Sequence, residues 1–87
     1  MQKTLSALCD PTRREILKML KKSSRSAGEI AQRFDLSLPA ISRHLRVLEE
    51  AEIVISHREG KYIYYELTLD TLGFLADWLN DFLKEYE

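Results

Sequence analysis

Between Ser26 and Glu50 the chain carries two helix starts with almost nothing between them. Ser26-Ala27-Gly28-Glu29 places a carboxylate three residues after a hydroxyl, the pattern of a reciprocal cap at a helix N-terminus. The helix it opens runs from Ala27 to Phe34, with Ala27, Ile30, Ala31 and Phe34 on its inner face. Asp35-Leu36 follows as a tight turn. Ser37 then restarts the pattern: its hydroxyl can accept from a free N–H of the next first turn, and Pro39 lies in that turn, where a missing N–H costs little. Ile41, Leu45 and Leu48 recur at helical spacing and make one apolar stripe. Ala40, Ser42, Arg43 and Arg46 fall off that stripe, and no acid appears before Glu49. The second helix, Leu38–Glu50, is therefore anchored by one side and offers a short, polar, basic face on the other.

Two helices joined this closely are either a packed pair of any small bundle or a helix-turn-helix, whose second helix enters a major groove. The next segment decides between them. Ile53–His57 and Tyr62–Leu67 are β-branched and aromatic runs around Arg58-Glu59-Gly60-Lys61, the signature of a β-hairpin with a charged, glycine-containing tip. One hairpin face packs on helices while the other stays wet. A helix-turn-helix followed at once by a basic-tipped hairpin is a winged helix, mainly α with a small β-hairpin, in the order α-α-α-α-β-β-α. Arg58 and Lys61 at the tip can reach a backbone or minor groove beside a helix-filled major groove.

The flanks complete the domain. Gln2–Leu8 reads as a short helix with Leu5 and Leu8 inward. Asp10-Pro11 starts another, Asp10 as cap and Pro11 as first helical residue. Ile16, Leu17, Met19 and Leu20 supply its apolar side. Arg13, Arg14, Lys18, Lys21 and Lys22 form a solvated face, in which Arg13 and Arg14 are best placed to partner an acid or a phosphate. Lys21–Ser26 is a loop. The final helix spans Thr68–Glu87, starting near Asp70 or Thr71. Leu72, Leu75, Leu79, Phe82 and Tyr86 form one strip, and Phe74, Trp78 and Leu83 form a second beside it. That is more apolar face than one small domain needs, so this helix is expected to pack on a second subunit.

Eighty-seven residues allow one domain, a size at which oligomerisation often adds stability. The net charge of −1 argues against a general polyanion binder, but its distribution is uneven. Residues 1–25 hold seven of the thirteen basic residues, whereas residues 68–87 hold Lys84 against Asp70, Asp77, Asp81, Glu85 and Glu87. A single cysteine, Cys9, fits a reducing cytosol and reads as a small core residue. Lys3, Cys9 and Asp10 interrupt any apolar run that could serve as a signal peptide, and a cytoplasmic location is expected. No Ser–His–Asp set, glycine-rich phosphate loop or carboxylate pair has a scaffold here, so an enzyme is not expected.

Asp10-Pro11-Thr12-Arg13-Arg14-Glu15-Ile16-Leu17 resembles the opening motif of the ArsR/SmtB winged-helix repressors. Ser37, Ser42-Arg43-His44-Leu45, Leu48, Ala51 and Ile53 resemble that family's recognition-helix motif, and Arg58–Tyr65 resembles its wing. The resemblance covers nearly the whole chain and looks closest to the small SdpR-like autorepressors. It implies a homodimer built from the first and last helices, with Leu5, Leu8, Leu72, Leu75, Trp78, Leu79, Phe82 and Tyr86 at the interface. It also implies a palindromic double-stranded DNA operator, repression of transcription, and a releasing signal left open between a membrane-protein partner and a small molecule. The expected DNA contacts are Leu38, Ala40, Ser42 and Arg43 at base edges and Ser37, His44, Arg46 and Arg14 at phosphates. Arg58 and Lys61 are expected at the flanking backbone. His44 reads equally as a histidine satisfied within the fold.

Two departures stand out. Many members place glycine after the alanine, whereas Glu52 follows Ala51 here, so a turn of different shape is expected. Metal-sensing members carry a cysteine pair near the recognition helix, or acid and histidine ligands on the last helix. Cys9, His44 and His57 are scattered instead, so no metal and no cofactor are expected. The rival reading is a winged helix that binds a partner protein and no DNA.

Overall fold

A computed structural model describes residues 1–84. The elements are α1 (Gln2–Leu8), α2 (Pro11–Lys22), β1 (Arg25–Ser26), α3 (Ala27–Phe34), α4 (Leu38–Glu50), β2 (Val54–Glu59), β3 (Tyr62–Leu67) and α5 (Leu69–Lys84). The strands form one antiparallel sheet in the order β1-β3-β2. This corrects the expected order by one element. The end of the presumed loop Lys21–Ser26 is a short strand, with Arg25 opposite Tyr65 and Ser26 opposite Tyr64. The free edge of β3 supplies its partner; two residues carry no periodicity by which such a strand could be recognised.

Each helix start has the local chemistry its residues dictate. Asp10 accepts from the Thr12 and Arg13 N–H groups at 2.8 and 3.1 Å, and Pro11 occupies the first turn. Ser26 and Glu29 complete their reciprocal cap, with N–H to side-chain distances of 3.2 and 3.0 Å. Ser37 accepts from the Ala40 N–H at 3.3 Å. Asp35 ends α3 in the left-handed conformation, with φ 54°.

The close of α4 corrects the expected departure. Glu52 N–H donates to Glu49 O at 2.9 Å and Ile53 N–H to Leu48 O at 3.0 Å. This is the pair of bonds made by a glycine-type left-handed cap, with Glu52 at φ 59° in the glycine position. The turn keeps its shape because Ile53 and Val54, both buried directly after it, hold the chain in place.

Ile16, Ile30, Ile41, Leu45, Leu48, Ile53 and Val54 are fully buried and bring α2, α3, α4 and β2 to one centre. Burying each contributes about 1.5–3 kcal/mol. Tyr65, Leu67 and Leu72 pack against that centre from β3 and α5. One expectation about α1 is corrected. Leu8 packs against the core as expected, but Thr4 and Ala7 are the buried residues of this helix, and Leu5 is 46% exposed. Cys9, expected inside, is exposed at the α1–α2 junction.

Candidate nucleic-acid interface

The buried stripe of α4 fixes what its other side can do. Ile41, Leu45 and Leu48 lock the helix to the core, and Ser42, Arg43 and Arg46 are all exposed. Ser37, Leu38 and Pro39 at its N-terminus are exposed too, and Ala40 and His44 are half-buried. Arg13, Ala40, Arg43, His44, Arg46 and Val47 line one shallow concavity of about 510 Å³. Three guanidinium groups and no carboxylate border it, so it suits an anion.

The wing is a hairpin with a two-residue turn. Val54 lies opposite Leu67, and Glu59 opposite Tyr62 at the far end. Gly60 takes φ +62°, which a tight turn at this position requires and an L side chain rarely adopts. Arg58 and Lys61 are exposed near the tip. On one face His57 stacks on Tyr64, with ring centroids 5.9 Å apart, and Tyr62 packs edge-on against Tyr64. His57 Nε2 also lies 3.6 Å from the Glu59 carboxylate. His57 is thereby occupied within the wing. Ser56 donates to Glu49 Oε2 at 3.1 Å, which ties the wing to the end of α4.

Arg14 stands apart from α4. Its Nη1 donates to Leu8 O at 2.7 Å, and it borders a different depression with Leu17 and Leu67. The residue missing from the expected site is Arg13. Its side chain is only 15% exposed, with Nε donating to Ala7 O at 2.7 Å and Nη2 to Ser6 O at 3.1 Å. Its Nη1 lies 3.4 Å from His44 Nδ1 and 3.9 Å from the Asp10 carboxylate. The signal was present in Asp10-Pro11-Thr12-Arg13, but its partners are neighbours only in the folded chain. The Arg13 N–H leads in holding the Asp10 carboxyl below its ordinary pKa, with help from the Thr12 N–H and the Arg13 charge against partial burial. Burial, then the Glu49 carboxylate, pushes the Tyr65 phenol up.

The residues expected between subunits divide. Trp78, Leu79 and Phe82 are about half exposed, and Trp78 meets Phe82 edge-on at 4.8 Å. Leu72 is half-buried, and Leu75 is buried in this chain's own core. Tyr86 lies outside the described residues. Phe74 and Leu83, assigned to the second strip, are even more exposed than Trp78. Among the described residues no three His, Cys, Asp or Glu side chains gather closely enough to hold a metal ion. No described helix is long and apolar enough to cross a membrane.

This architecture and its sequence have clear relatives. The profile of the family described as "Bacterial regulatory protein, arsR family" matches residues 10–56, from the cap of α2 into β2. The transcriptional repressor SdpR of Bacillus subtilis is 41% identical over 85 residues, covering 98% of this chain and 94% of that protein. The crystal structure of NolR from Sinorhizobium fredii superposes with a TM-score of 0.76 at 31% identity, over 93% of this chain and 81% of that one. An ArsR-like transcriptional regulator from Rhodococcus sp. RHA1 superposes with a TM-score of 0.91 at 33% identity, over 98% of this chain and 78% of that one. The helix-turn-helix, the basic-tipped wing and these likenesses converge: the chain belongs to the ArsR family of bacterial transcriptional regulators.

Proposed function

We propose that the chain is a homodimeric repressor that places one α4 in the major groove of each half of a palindromic operator. The observation that carries this reading is the split of α4 into a fully buried stripe and an exposed face bearing Ser42, Arg43 and Arg46. Leu38, Ala40, Ser42 and Arg43 are assigned to base edges and the groove floor, with Arg43 or Arg46 donating to guanine. Ser37, His44 and Arg46 are assigned to phosphates, and Arg58 and Lys61 to the flanking backbone or minor groove. Arg14 is left out of the contact set, because its guanidinium serves Leu8 and lies away from α4. Two copies joined through α1 and α5 would set the half-sites about 10 bp apart on one DNA face. No metal ligand set is assigned: Cys9, His44 and His57 lie on separate elements.

Selection of bound duplexes from a random library tests the proposal. The expected result is an enriched palindrome whose affinity falls steeply as salt is raised. Absence of enrichment, with binding indifferent to salt, would favour a winged helix that recognises a protein instead.

A further inference from the structure

Arg13 sits where three helices meet. It reaches from α2 to the last carbonyls of α1 and, with Nη1, to the one imidazole on α4. An arginine has five N–H donors, no acceptor, and keeps its charge at every accessible pH. The ring nitrogen facing it must therefore be the unprotonated one. With Nδ1 accepting from Arg13, the neutral ring carries its hydrogen on Nε2. His44 is half-buried and borders the concavity shared with Ala40, Arg43 and Arg46. We infer that Arg13 is a positioning residue for DNA binding: it holds His44 in the Nε2–H tautomer, so that α4 offers a phosphate an N–H donor rather than a lone pair. The same side chain ties that donor to the seat of α1.

The charged groups around the ring agree with this assignment. Arg13 faces His44 from α2, and Arg43 and Arg46 share its concavity from α4. The Asp10 carboxylate beside Arg13 is engaged by two backbone N–H groups and lies 3.9 Å from Arg13 Nη1. With Nδ1 turned to Arg13, Nε2 is the ring nitrogen left to meet a phosphate beside the three guanidinium groups. The inference rests on the proposed docking of α4, but its first readout needs no DNA.

The test combines a spectrum of the free chain with affinities for the selected operator. Long-range proton–nitrogen spectra of the 15N-labelled full chain are expected to show His44 protonated at Nε2 alone. Arg13→Met keeps the aliphatic stem, removes the donors, and is expected to leave the tautomers mixed. Because it also frees the α1 carbonyls, His44 variants that leave those bonds intact accompany it. His44→Leu should bind the operator about tenfold more weakly, the loss expected of a hydrogen bond to a charged group. His44→Gln, whose amide can accept from Arg13 and donate outward, should recover most of that loss. Adding His44→Leu to Arg13→Met should weaken binding by less than about threefold. An Nδ1–H tautomer in the parent chain, full affinity in His44→Leu, or independent losses in the double variant would each overturn the inference. A parent chain that has the Nε2–H tautomer but binds no duplex would overturn the repressor reading itself, leaving Arg13–His44 a structural contact only.

Discussion

Arg13 and Arg43 are the same side chain in opposite surroundings, one mostly covered and one exposed. Arg43 is exposed because its position on α4 falls between the buried stripe positions, and that follows from helical spacing alone. Replacing it with alanine should relax base preference at one position of each half-site, at a cost of about 1–3 kcal/mol, measured by binding to operators varied one base pair at a time. Equal weakening on every duplex would make Arg43 a phosphate contact. Arg13 is mostly covered because Ser6, Ala7 and His44 converge on it in the folded chain, which no local pattern announces. The caps at Asp10, Ser26 and Ser37 were legible because each acts within three residues of itself. They also predict a pH dependence. The N–H groups they cap hold the Asp10 and Glu29 carboxyls below their ordinary values. A depressed folded-state pKa contributes stability above the unfolded value, and that stability is lost as pH falls through the folded one. Thermal midpoints should therefore hold above about pH 4.5 and decline below it, with a shallower decline in Asp10→Asn, whose side chain caps without titrating.

At the scale of elements, the turn after α4 is the instructive case. The absence of glycine pointed to a different turn, yet backbone bonds and the buried Ile53 and Val54 impose the left-handed form on Glu52. A left-handed L residue costs about 1–2 kcal/mol, partly offset in glycine by its extra freedom when unfolded. Glu52→Gly should thus stabilise the chain by about 0.5–1 kcal/mol, seen as a higher urea midpoint with an unchanged slope. An unchanged or lower midpoint would show that Glu52 has compensating contacts. The wing was legible through its alternation and its Gly60 turn. Its third strand was not, since Arg25 and Ser26 become a strand only by pairing with Tyr65 and Tyr64. That pairing, and the bond from Ser56 to Glu49, brace the hairpin whose tip bears Lys61. Lys61→Ala should reduce the slope of log affinity against log salt by about one per subunit. An unchanged slope would remove the wing from the DNA.

At the scale of the whole molecule, the single chain is more extended than a compact domain of its length. Its extents are 49 × 23 × 21 Å, with a radius of gyration of 14.2 Å, against about 12 Å for a compact domain of this length. α5 has 16 residues, of which only Leu75 is buried. Phe74, Trp78, Leu79, Phe82 and Leu83 are left facing outward. The excess apolar face was legible in the sequence, but its division was not: Leu75 serves this chain's core, and the strip beyond it does not. In the proposed function a second α5 covers this face, and two recognition helices then bind a palindrome as one unit. Linking two sites in this way raises affinity by about 10²–10⁴ over either alone. Leu79→Asp places a charge in the middle of the exposed strip without touching the core of the winged helix. It should give a folded monomer by light scattering, lose about 10²–10⁴ in affinity for the full palindrome, and bind an isolated half-site as the parent monomer unit does. A variant that stays dimeric with full affinity would place the subunit contact elsewhere, and the apolar face of α5 would then need a different partner.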